Sequence, residues 1–92
     1  DPARSGRRYG DRGQLYSIQD AASATTCLIL AAFDLGLGCC WTGAFDESMV
    51  RDILNLPGRL VPTALVSIGW PDENPAPPPG RDMTEAVHWI EG

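Results

Sequence analysis

The sequence predicts an α+β fold, and three stretches carry that prediction. From Ser17 to about Leu35, apolar residues recur at helical spacing with almost no polar face, and Gly36 is placed to stop the helix in a left-handed conformation. Cys39-Cys40-Trp41-Thr42 is a short extended run, and Leu60 to Trp70 reads as a longer strand carrying Val61, Leu65, Val66 and Ile68. Between the strands, Asp46 is a good cap for a second helix from Glu47 to about Asn55.

The chain divides into a flexible leader over residues 1–13, a core over 14–70, and a proline-rich connector with a C-terminal helix over 71–92. The leader mixes glycine, proline and charge, which predicts loop or tail. Ser17 with Asp20 three positions on predicts a reciprocal cap and hence the start of the long helix. Ala21, Ala24, Leu28, Ala31 and Leu35 line one side of this helix, while Ala22, Ile29 and Phe33 occupy another. A helix apolar nearly all round is buried all round. A chain of 92 residues buries only about 60–65% of the surface its unfolded form exposes, so another chain or a further segment is expected to cover it.

Met49, Val50, Ile53 and Leu54 form the buried stripe expected of the second helix, which Pro57-Gly58 should end. Pro62 places the beginning of the following strand at an edge or outside the regular ladder, and its nearly continuous apolar run predicts cover on both faces. Five prolines in the ten residues Pro71 to Gly80 make a stiff, extended connector. Asp82 and Glu85 mark a last short helix expected to turn Met83, Ala86, Val87 and Ile90 inward.

Seven arginines and no lysine stand against twelve acidic residues, for a net charge of -5, which argues against nucleic acid as a partner. Cys27 to Phe33 is the longest unbroken apolar run before Asp34, far short of the roughly 18 residues a membrane span needs. Three cysteines, two of them adjacent, fit neither a secreted disulfide scaffold nor a zinc site, and a reducing, cytoplasmic setting is expected. Gly36 and Gly38 lack the third glycine of a dinucleotide fingerprint, and the absence of lysine excludes a phosphate loop. His88 suits packing or surface better than catalysis, and Cys39 and Cys40 suit burial beside Trp41 better than a reactive thiol. With no self-contained catalytic group, an enzymatic role requires a cofactor to carry the reaction.

Ser17-Ile18-Gln19-Asp20-Ala21-Ala22, Leu28-Ile29-Leu30-Ala31-Ala32, Leu35 to Trp41 and Thr42-Gly43-Ala44-Phe45-Asp46 follow one another at spacings that resemble the C-terminal half of the nitroreductase-like family of FMN-dependent oxidoreductases. Ile53 to Pro57, Val61-Pro62, Ile68 to Pro71, Arg81 and Val87-His88 continue the likeness in order. The resemblance implies the C-terminal portion of a nitroreductase-like α+β fold, with FMN held where two subunits intertwine. By it, Trp41, Thr42, Gly43 and Ala44 pass the flavin ring, and Arg81 contacts the FMN phosphate; no side chain is implied to react. NAD(P)H is the implied electron donor, and a nitroaromatic, quinone or related small molecule the acceptor. The implied assembly is a homodimer or a complex with a missing N-terminal half. The alternative is a non-catalytic structural subunit or decayed half-domain.

Overall fold

In a computed structural model that describes all residues from Asp1 to Gly92, helices and a small sheet alternate along the chain. Helix α1 spans Pro2–Tyr9, a 3-10 turn spans Gly10–Arg12, and α2 spans Gly13–Asp34. Strand β1 covers Gly38–Thr42, α3 Glu47–Leu54, β2 Leu65–Gly69 and α4 Met83–Ala86. The mixed architecture predicted from the sequence is the one observed.

The leader is helical where loop or tail was expected. Asp1 accepts a hydrogen bond from the Arg4 N–H, and Pro2 occupies a first-turn position where its missing donor costs nothing. Gly10, at φ 61°, then turns the chain so that α1 lies against α2. The helices meet at Gly6 and Gly13: a Cβ on Gly13 would stand 2.4 Å from the Gly6 nitrogen. Beside this contact the rings of Tyr9 and Tyr16 pack edge to face at 5.2 Å, and Arg12 Nε donates to the Tyr16 hydroxyl at 3.1 Å.

This packing also moves the start of the long helix. Helix α2 begins at Gly13, so Ser17 lies inside it and its Oγ donates back to the Gln14 carbonyl at 2.8 Å. The reciprocal cap expected from Ser17 and Asp20 does not form, because α1 already carries the chain into helical conformation one turn earlier. The other end follows the sequence: Gly36 takes φ 78°, and the Leu37 N–H donates to the Ala32 carbonyl at 3.0 Å.

Strands β1 and β2 pair antiparallel, with Gly38 opposite Gly69, Trp41 opposite Val66 and Thr42 opposite Leu65. The second strand is shorter than the Leu60 to Trp70 expected. Pro62 has no N–H to offer a ladder, and Leu60 is drawn into a turn with its N–H on the Pro57 carbonyl. Helix α3 is capped as predicted, Asp46 accepting from the Met49 N–H at 3.0 Å, but Asn55 ends it at φ 48°, ahead of Pro57-Gly58.

Only two residues, Gly13 and Ala32, are buried within the chain. On β2 only Val66 is half-buried and the rest is exposed, the stripe expected on α3 stays open with Ile53 76% exposed, and Leu30 and Phe33 of α2, with Leu35 just after it, stand at the surface. No helix is long and apolar enough to cross a membrane.

The last helix is a single turn, and Met83 and Ile90 point outward, at 71% and 96% exposure, contrary to the inward stripe expected. Asp82 holds its start by accepting from the Thr84 N–H and hydroxyl, both at 2.9 Å. These bonds to the ionised form lower the Asp82 pKa below its ordinary 3.8. A carboxyl with a lower pKa folded than unfolded contributes stability that is complete above 3.8 and lost as pH falls through the folded value. Helix α4 should therefore fray in acid below that point. An NMR titration following the Thr84 amide checks this, and a Thr84 signal indifferent to acid would rule the cap out.

Candidate functional site at the end of the first strand

Four of the five residues expected to meet a cofactor lie together. Trp41 and Thr42 end β1 and are fixed by their pairing with Val66 and Leu65, and Gly43 and Ala44 leave the strand directly. The Phe45 N–H donates to the Gly43 carbonyl at 3.2 Å, a tight turn that sets the direction of the chain into Asp46. Asp46 then binds the first turn of α3 through its carboxylate to Met49 and through its carbonyl to the Val50 N–H. The loop is thus clamped at one end by a ladder and at the other by a helix cap.

Within that clamp the N–H groups of Gly43 and Ala44 donate to no acceptor of this chain. A Cβ on Gly43 would meet nothing within 4 Å, so the backbone there can be approached closely. Trp41 beside it is 43% exposed. Unpaired N–H groups on a fixed loop are hydrogen-bond donors for a flat, acceptor-edged ligand, and between Trp41 and Phe45 no ionisable side chain competes.

Arg81 makes no hydrogen bond to this loop. It follows the exposed connector, immediately before Asp82 and α4, and pairs with no carboxylate; the chain's one salt bridge joins Arg51 to Glu47 at 3.2 Å. Its guanidinium fork is therefore free for an anion, but no hydrogen bond ties it to Gly43 or Ala44. The cysteines are all free, with Cys27 and Cys40 exposed and Cys39 half-buried, and no cluster of metal-ligating residues forms.

The family profile described as "Nitroreductase family" matches residues 1–70. The chain belongs to the nitroreductase family. A protein of Methanothermobacter thermautotrophicus named "Putative NADH dehydrogenase/NAD(P)H nitroreductase" is 34% identical over 62 residues, which are 63% of this chain and 32% of that protein. A protein of the same name from Archaeoglobus fulgidus is 37% identical over 60 residues, 61% of this chain and 34% of that one. The chain thus spans about a third of the length of the curated relatives it matches. The family match includes the leader, α2 and the Trp41 to Ala44 loop, and stops at Trp70, before the connector and Arg81.

Arg4, Ser5 and Arg8, which by composition belong to a solvated leader and not to a binding arm, face a hollow between α1 and α2. The clustering of four arginines among the first twelve residues was the available signal. It pointed to solvent only while α1 was read as loop.

Proposed function

We propose that this chain is the C-terminal part of an FMN-dependent NAD(P)H oxidoreductase, a nitroreductase-like enzyme working as a homodimer or in assembly with an N-terminal half. The observation that carries the reading is the pair of unpaired N–H groups at Gly43 and Ala44, on a clamped loop with open space beside it, in a chain of this family. FMN, held by these residues, would supply the redox chemistry that links NAD(P)H to a nitroaromatic, quinone or related small-molecule acceptor.

The chain's residues bind and orient. Gly43 and Ala44 offer main-chain donors to the edge of the ring, where they stabilise negative charge without titrating at working pH. Trp41 and Thr42, locked in the ladder, fix the approach to those donors. Arg81 offers a two-pronged charged contact to the phosphate. The three free thiols accord with a reducing, cytoplasmic setting.

Arg81 is assigned to binding and not to hydride transfer, because a phosphate contact lies at the far end of the cofactor from the ring. Arg81→Ala should weaken FMN affinity roughly tenfold to a hundredfold, the scale of a lost charge-assisted hydrogen bond. Turnover should largely recover once excess FMN fills the site. Titrating FMN into the wild-type and variant assemblies, then comparing dissociation constants with turnover at saturation, separates the two effects. Unchanged affinity would leave Arg81 a connector charge, and low turnover at full occupancy would place it near the ring.

A further inference from the structure

A hollow of about 720 Å³ lies away from the Trp41–Ala44 loop, between α1, the early turns of α2 and Leu60. That is the size of a small-molecule site, on the order of 300–1,000 Å³. Arg4 and Arg8 border it one turn apart on α1, so their guanidiniums share a face. Neither is in an ion pair, although the chain as a whole is acidic. The Arg8 guanidinium sits 5.5 Å over the Tyr9 ring, and Ser5 and Ser17 add hydroxyls to the lining.

Two carboxylates also border the hollow, and they decide the kind of ligand. Asp1 is already engaged as the cap of α1, accepting from the Arg4 N–H. The Asp20 carboxylate, on α2, is in no ion pair and would repel a bare anion brought to the arginines. A ligand with phosphates at one end, sugar hydroxyls at the other and an aromatic base satisfies both signs of charge. We infer that this hollow receives the adenosine diphosphate tail of the nicotinamide donor: Arg4 and Arg8 hold the diphosphate, Asp20 accepts from the ribose hydroxyls, and Tyr9 packs against the adenine. This rests on the reading of the chain as part of an NAD(P)H-dependent enzyme. The Asp20 carboxylate would meet a ribose 2′-phosphate as a like charge, so NADH is the preferred donor over NADPH.

The test uses ADP as the probe on the flavin-loaded assembly. Calorimetry should show ADP binding to the wild type and a loss of roughly tenfold or more in Arg4→Ala/Arg8→Ala, with flavin content unchanged. The variant should raise KM for NADH to a similar degree and leave kcat at saturating donor alone, because the tail is remote from the reacting ring. On wild-type protein, ADP should also shield Arg4 and Arg8 from phenylglyoxal, read by mass spectrometry, which requires no variant to fold. Flavin-loaded protein that binds no ADP, or binds it with both arginines still reactive, overturns the inference while the flavin function stands. Protein that binds ADP with both arginines shielded yet takes up no flavin keeps the hollow as a nucleotide site and overturns the flavin reading instead.

Discussion

Phe33→Asp should break the assembled protein into separated, destabilised chains. Phe33 is 78% exposed on α2, between Leu30 at 62% and Leu35 at 71%. The chain exposes 8038 Å², whereas a compact monomer of 9.9 kDa exposes about 5,200 Å². Its radius of gyration is 17.4 Å, against about 12 Å for a compact domain of this length. The excess, on the order of 2,800 Å² on one chain, would amount to about 5,600 Å² counted over both partners, the size of the largest obligate interfaces. Each large apolar side chain left wet forfeits roughly 1.5–3 kcal/mol, so several on one helix outweigh the cost of association. A carboxylate at position 33 would have to be desolvated in that interface, which is why the substitution should act on assembly as a whole. Sedimentation at micromolar concentration should show an associated wild type and a dissociated variant. A compact, stable wild-type monomer would sink this prediction.

Gly13→Ala should pry α1 from α2. Helix propensity alone favours alanine over glycine by up to about 1 kcal/mol. Against that, the new methyl would lie 2.4 Å from the Gly6 nitrogen and 2.5 Å from its Cα, backbone atoms that cannot swing aside. Relief requires moving the whole of α1, at the roughly 1–3 kcal/mol typical of overpacking, so the clash wins. The Tyr9–Tyr16 edge contact should be lost with it. Gly43→Ala is the control, since its methyl meets nothing within 4 Å. Thermal unfolding of the two variants should show a clear loss for Gly13→Ala and little change for Gly43→Ala. Equal melting temperatures would mean that the α1–α2 contact contributes little. The hollow bordered by Arg4 and Arg8 depends on the same contact, so loss of ADP binding in Gly13→Ala would follow from this geometry.

The elements most legible in the sequence were those whose signals are local. Gly36 as a left-handed stop and the side-chain caps at Asp46 and Asp82 involve groups within a few residues of each other, and all three formed as expected. The loop at Trp41 to Ala44 could be placed for the same reason, because it is whatever joins a readable strand to a readable cap. Errors arose where a distant partner decided. Residues 1–13 look like solvated loop by composition, but α2 gives α1 a surface to lie on, and Gly6 and Gly13 let the backbones touch. Ser17 has the chemistry of a cap, yet α1 feeds the chain into α2 a turn earlier and leaves Ser17 in the interior.

The order and type of the core elements and the family likeness were already fixed along the chain, since these follow from periodicity, capping chemistry and local motifs. Only the tertiary structure decided that β2 pairs antiparallel with β1 from Leu65 onward, that Gly43 and Ala44 keep free donors, and that Arg4, Arg8 and Asp20 border one hollow. Each of those depends on which residues come together across tens of positions in the chain. Periodicity and composition, which are averages over neighbours in sequence, carry no term for such meetings.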